Sequence, residues 1–424
     1  MSAMKNKTSV FFTIILWGCC NTFLSAGINP GNQKNIRKAA RIHARALTID
    51  SHNDTPMWFT DSSYNFSEDH RGKRPRNRVD IPGMEAGGLD GAFFAVFVGQ
   101  GDRNEKGNAK AFEQAVQTFK AIDRNLKLHE DKISMARCAD DARSIEKEKK
   151  RAICIGLENG YPIGNKLENV ELFYKLGARY ITLCHTRNND ICDSSTDSTE
   201  HNGISKFGEN VIAEMNRLGM MVDVSHISDE AFYDAIRLSK TPVIASHSCA
   251  RALCDSPRNL DDDMLRALAE NGGVIQMCIL SSYVKTPDPN PRRDSAHAAL
   301  RQKYNGFKDL SEEEMNKARK EWYAIDEAYP QQLATVNDVA DHIDHIVKTA
   351  GIRHVGIGTD FDGGGGVEGC ADVSELGNIT LELVKRGYPA RHIRLIWGKN
   401  LLRVMREAER HARKSSSREG EKTV

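Results

Sequence analysis

The chain has 424 residues, enough for one large domain or two ordinary ones with a sizeable core. Its 59 lysines and arginines nearly balance 58 aspartates and glutamates, and no basic stripe or aromatic–basic interleaving stands out along the sequence. That balance argues against nucleic acid as the partner.

At the N-terminus Lys5 and Lys7 precede the apolar run Val10–Trp17, and small residues follow at Ser25, Ala26 and Gly27. This is the order of a secretory signal peptide, too short to span a bilayer in the mature chain. The expected organisation is a leader over 1–26, one folded domain over 27–412 and a disordered polar tail over 413–424. The product would be exported, periplasmic or secreted. Leu16-Trp-Gly-Cys19 also resembles a lipoprotein box, with a lipid on Cys19 as the minor alternative. Of ten cysteines, Cys154, Cys184 and Cys278 sit in apolar runs as small buried hydrophobes; Cys249 and Cys254 could pair, but a chain of this size with its own core does not need a disulfide.

After a helical pattern over Gln33–Ala46, apolar β-branched runs alternate with amphipathic stretches. The runs are Ala46–Asp50, Gly91–Val98, Ala152–Leu157, Tyr180–Cys184, Met220–Val224, Pro242–Ala245, Gly273–Leu280 and His354–Gly358. Helical patterns fall at Ala109–Glu130, Leu167–Leu176, Asn210–Leu218, Asp229–Leu238, Asp262–Glu270 and Val336–Ala350, and Arg391–Arg413 closes the chain. Near-continuous apolar strands separated by helices predict a parallel sheet buried on both faces. Eight of them fit an α/β fold of the (β/α)8 TIM-barrel kind better than an open sheet, because no Gly-rich dinucleotide turn follows the first run. Gly363–Gly366 lacks the Lys-Ser/Thr of a phosphate loop and reads as a flexible turn at the barrel mouth. Residues 281–333, after strand 7, form a polar, proline-bearing insertion, either a wall or lid over the entrance or a plain surface excursion.

The runs end in residues that can bind metal. His52 and Asp54 follow the first, Glu158 the third, His185 the fourth, His226 the fifth, His247 the sixth, and Asp360 and Asp362 the eighth. Any one could be a core-edge histidine or a helix cap. Six of eight runs ending this way is another matter, because a parallel barrel brings all its strand ends to one mouth. The donors exceed what one tetrahedral ion needs and suggest two ions about 3.5–4 Å apart sharing a carboxylate. Glu158, from the strand between the two ligand groups, suits that bridge.

In order, His52-Asn-Asp-Thr-Pro56, Glu158-Asn-Gly160, Thr182-Leu-Cys-His185, Asp223-Val-Ser-His226, Ser246-His-Ser248 and Gly358-Thr-Asp-Phe-Asp-Gly363 resemble the membrane (renal) dipeptidase family. These are zinc-dependent dipeptidases of the amidohydrolase-like barrels, and the resemblance runs from residue 44 to residue 408. It implies that His52 and Asp54 hold one zinc, His226 and His247 the other, and that Glu158 bridges them. It implies that His185 and Arg258 bind substrate, the arginine on its carboxylate, and that Asp360 is the acid/base working with Glu158. Two zinc ions per chain would then activate water to hydrolyse dipeptides, D-residues at the C-terminal position included. The resemblance further implies a small dipeptide as partner, no nucleic acid, no transmembrane span in the mature chain and a homodimer. The loop Asn188–Asp197 is similar to bacterial members, while Asn159 stands where many animal members carry glycine. The alternative is another binuclear barrel enzyme, an N-acyl-amino-acid, β-lactam or lactone hydrolase; a barrel without catalysis would lack some of the ligands or Asp360.

Overall fold

A computed structural model describes residues 30–422, apart from 62, 74–76 and 308–309. The expected leader and Cys19 lie outside the described residues. Among the described residues there are nine strands: β1 (Ile49–Asn53), β2 (Gly91–Phe97), β3 (Ile133–Met135), β4 (Arg151–Glu158), β5 (Ala178–Thr182), β6 (Met221–Asp223), β7 (Ile244–Ser248), β8 (Val274–Cys278) and β9 (Val355–Gly358). Eight correspond to the eight apolar runs and pair in parallel in the order β1-β2-β4-β5-β6-β7-β8-β9. Their residues are buried almost without exception, as a sheet covered by helices outside and packed within requires. The fold is the expected (β/α)8 barrel.

Closure between the first and last strands falls at their C-terminal ends. Asp54 N donates to Phe361 O (2.8 Å) and Asp360 N donates to His52 O (3.0 Å). The buried Asp50 carboxylate locks the seam by accepting from Thr359 N and Thr359 Oγ1, both at 2.7 Å. Through this seam the chain's first and last strand ends, His52–Asp54 and Asp360, become neighbours.

At the opposite end, residues that begin several strands (Ile49, Ala152, Met221, Ile244, Val274) form one cluster with Phe93 and Tyr180 inside the barrel. The last helix, Asn400–Lys422, seals it with Leu401, Leu402, Val404 and Met405. A filled lower barrel leaves only the upper end for chemistry.

Several elements differ from expectation. β1 runs three residues further than its apolar run, so His52 lies within the strand. β3, three residues long and paired only with β4, is too short to show in the sequence. The tail expected to be disordered from 413 is helical as far as Lys422. Its Arg, Lys and Glu residues are good helix formers, and extending an existing helix avoids the cost of nucleation. The glycine run is no loose turn either, since Gly365 N donates to Asp360 O (2.7 Å) and Gly366 N to Ile279 O (2.8 Å). Among the described residues no helix is long and apolar enough to cross a membrane, and all eight described cysteines are free, Cys249 and Cys254 included.

The insertion after β8 folds as two helices, Pro291–Lys303 and Glu312–Ala328. A capping box starts the second, Ser311 Oγ accepting from Glu314 N (3.2 Å) and Glu314 Oε2 from Ser311 N (2.8 Å). Leu300, Tyr304 and Ala318 give the pair a small core of its own. Arg319 of the second helix lies over the Trp58 ring, so the insertion leans on the loop that follows β1.

Candidate metal centre

The residues read from the strand ends meet at the upper mouth. Glu158, last in β4, is central and buried. Its Oε2 lies 3.3 Å from His52 Nε2, which is 3.6 Å from Asp54 Oδ2. Its Oε1 lies 3.3 Å from His226 Nε2, 3.7 Å from His247 Nε2 and 3.6 Å from His185 Nε2. The two oxygens of one carboxylate therefore face two donor groups. The ligand-competent atoms fall into three overlapping groups, His52 with Glu158 and His247, Glu158 with His185 and His226, and His52 with Asp54 and Asp360. Groups from opposite ends of the chain interleave here, for the His52 and His247 rings stack with centroids 3.8 Å apart.

Three of the turns that carry these side chains use left-handed backbone. Asn159 (φ 73°), His226 (φ 73°) and Asp360 (φ 56°) each follow directly on a strand or its terminal turn. Such a conformation costs a non-glycine residue roughly 1–3 kcal/mol and persists where the surroundings enforce it. Two glycines are required by close approach. A Cβ on Gly363 would overlap the carboxylates of Asp54 and Asp360, and one on Gly156 would overlap the Tyr180 ring.

That ring supports the centre from below. His52 Nδ1 is 2.8 Å from Tyr180 Oη, which itself donates to Ser51 O (3.2 Å). With its proton committed there, Tyr180 accepts from His52 Nδ1–H, leaving Nε2 to face the centre. His247 is set the same way. Its Nδ1 is 2.8 Å from Ser246 Oγ, whose proton goes to Asp223 Oδ2 (2.6 Å). Neither Tyr180 nor Asp223 was identifiable as a support from sequence, although Asp223 opens the quoted Asp223-Val-Ser-His226 segment. Outer hydrogen bonds of this kind fix a ligand's tautomer and typically carry 10–100-fold in metal affinity. Tyr180→Phe, which keeps the packing ring, should weaken metal binding about 10–100-fold in a chelator competition titration while leaving the fold intact.

The electrostatics are those of a site built for cations. Burial, reinforced by the charge of Glu158, pushes Asp54 up to about 6. Burial and then the charge of Asp54 push Asp360 well above the usual carboxylate range. Burial, followed by the Arg258 charge, lowers His185 to about 4 and lowers His226 well below its usual value. Burial and the His52 charge do the same to His247. His52 is the exception, for although burial works against it the charges of Tyr180 and Glu158 hold it well above the usual imidazole value. A divalent ion would take the place of that proton among the crowded carboxylates and the neutral imidazoles. Buried His52 Nε2 lacks a hydrogen-bond partner among the described residues, and the Nε2 atoms of His226 and His247 point at each other 2.8 Å apart. The donor set thus fits metal ions.

Arg258 is buried beside the centre, with Nη2 donating to His247 O (3.0 Å) and Nη1 to Ser248 Oγ (3.4 Å), Cζ over the Tyr283 ring at 5.2 Å, and Nε without a partner among the described residues. A cavity of about 220 Å³ opens over the cluster, with Met57, Phe97, Leu280 and Tyr283 on its apolar walls. Asp362, the other carboxylate after β9, is already engaged by Thr55 Oγ1 (3.0 Å), Asn77 Nδ2 (3.0 Å) and Arg78 N (2.8 Å), and burial pushes it up to about 7. It anchors the loops of the cavity rim.

A closed parallel barrel that gathers imidazoles and carboxylates at the C-terminal ends of its strands is the frame of a metal-dependent enzyme. Comparison with known sequences makes the assignment specific. The chain belongs to the membrane dipeptidase family (Peptidase family M19), whose sequence model matches residues 36–419. It is 31% identical over 369 residues to dipeptidase tcpJ of Claviceps purpurea, covering 85% of this chain and 76% of that protein. It is likewise 31% identical to dipeptidase ataJ of Aspergillus terreus over 398 residues, 88% of this chain and 87% of that one. Among solved structures, the probable dipeptidase PvdM from Pseudomonas aeruginosa superposes with a TM-score of 0.77 at 30% identity, over 90% of this chain and all of that one. A metallo peptidase from Rhodobacter sphaeroides, liganded with a phosphinate mimic of L-Ala-D-Ala, shares the fold (TM-score 0.69, 22% identity, 86% of this chain and 99% of that one).

Proposed function

We propose that the protein is a dipeptidase working with two zinc ions. The observation that carries this reading is Glu158, whose two carboxylate oxygens face separate donor groups. His52 and Asp54 would hold one ion on the Oε2 side, and His226 and His247 the other on the Oε1 side. Imidazole-rich sets of this kind favour zinc. When bound, the ions acidify water and polarise a carbonyl.

The chain's own residues do the rest. Arg258 takes the C-terminal carboxylate of the substrate, a planar fork matched to a planar acceptor. Neutral His185 donates an N–H hydrogen bond to the carbonyl oxygen as negative charge develops on it. Asp360 accepts the proton of the attacking water and hands it to the leaving amine as the C–N bond breaks. The fixed distance between Arg258 and the centre selects two-residue substrates, because a longer peptide has no carboxylate within reach. Export on the leader over 1–26 and pairing as a homodimer belong to the same reading.

The test is a substrate panel with the arginine altered. The zinc-loaded protein should hydrolyse L-Ala-D-Ala or an L,L-dipeptide, and a chelator should abolish the activity. Arg258→Met should raise KM about 10–100-fold, the loss of one charge-assisted contact of roughly 1.5–3 kcal/mol, with a smaller change in kcat. Lactone hydrolysis indifferent to Arg258→Met, with no dipeptide turnover, would instead identify a different barrel hydrolase.

A further inference from the structure

The first helix holds a feature hidden in the sequence. Pro30–His43 packs Ala39, Ile42 and His43 inward. Lys34, Arg37, Lys38 and Arg41 are all exposed, and Arg45 follows in the next turn, also exposed. Spacings of three and four residues place these on one ridge of a helix, nearly opposite the buried side. Read linearly the cations look scattered, which is why no basic stripe was expected. The segment from Ala26 to Ile49 contains no acidic residue, and none of the five cations has an ion-pair partner among the described residues.

The surroundings do not neutralise the ridge. The neighbouring helix Ala390–Arg394 carries Arg391, His392 and Arg394 and no acid. Glu382, on the other neighbouring helix, is already engaged by Lys385 (3.0 Å) and Arg386 (3.3 Å). Gln33, Lys34, Arg37 and Arg41 line a cleft of about 280 Å³ between the basic side chains, large enough for a phosphate group. A chain of balanced charge with one sided, straight, acid-free ridge is matched to a flat anionic surface.

We propose that this ridge docks the protein on a membrane of anionic phospholipid, its ammonium and guanidinium groups meeting the headgroup phosphates. Nucleic acid fits less well, because the ridge carries no aromatic side chain on which a base could stack. Attraction of this kind contributes roughly fivefold in partitioning for each basic residue near the surface and is screened by salt.

The experiment is sedimentation of the mature protein with vesicles of phosphatidylglycerol mixed into phosphatidylcholine, and with vesicles of phosphatidylcholine alone. Binding should require phosphatidylglycerol and fall steeply as salt is raised. The variant Lys34→Glu/Arg37→Glu/Lys38→Glu/Arg41→Glu should bind at least about 100-fold more weakly, with dipeptide kcat/KM unchanged. The milder replacement of all four by glutamine should lose a large part of the binding and decides the matter if the glutamate variant does not fold. Equal binding to phosphatidylcholine alone, or full binding by the glutamine variant, would overturn the proposal. So would tight binding of inorganic phosphate or duplex DNA that vesicles do not displace.

Discussion

Asp360→Asn is expected to lower kcat by about 10²–10⁴-fold, the usual loss when a positioned general acid/base is removed, while the metal content stays the same. Asparagine tolerates the left-handed backbone at this position as well as aspartate does. The seam hydrogen bond from Asp360 N to His52 O is made by the backbone and survives the exchange. Burial is preserved too, so only the ability to hold and move a proton is lost. Steady-state kinetics alongside metal analysis separates this role from the alternative that its position beside His52 and Asp54 leaves open. If Asp360 were itself a ligand, Asp360→Asn would lose metal together with activity.

Glu158→Gln should act on both halves of the centre at once. An amide offers one acceptor oxygen and no charge, so it cannot serve two donor groups as the carboxylate does. Loss of an activated water and of carbonyl polarisation removes several kcal/mol of transition-state stabilisation, roughly 10³-fold or more in kcat/KM. The stability effects should differ between the two states of the protein. Without metal, relief of the crowding of Glu158 against Asp54 and Asp360 is offset by loss of its ion pair with His52, so thermal stability should change little. With zinc present, the wild type gains the linkage stabilisation of bound ions and the variant gains much less. Melting curves with and without zinc read both effects in one experiment.

The sequence displayed the barrel because its strands are buried on both faces and therefore continuously apolar, leaving eight runs that no surface element imitates. It displayed the centre because each donor sits directly after such a run. What supports the centre was illegible for a physical reason. Asp50 and Asp223 are strand carboxylates of the same appearance as Asp54, and only the fold shows that Thr359 and Ser246 occupy them. Tyr180 looks like an ordinary strand aromatic, yet Gly156 leaves room for its ring and brings the hydroxyl to His52 across a long stretch of chain. The short strand Ile133–Met135 and the basic ridge failed to show for related reasons: one is too brief for a pattern, and the other becomes a pattern only on a helix.

The central claim is that Glu158 joins His52 and Asp54 to His226 and His247 as one two-metal site. Metal content per chain of the purified protein, measured by elemental mass spectrometry, tests it most directly. Two zinc equivalents per chain in the wild type, falling to one or fewer in Glu158→Gln, is the predicted result. A single equivalent in the wild type, retained in full by Glu158→Gln, would contradict it.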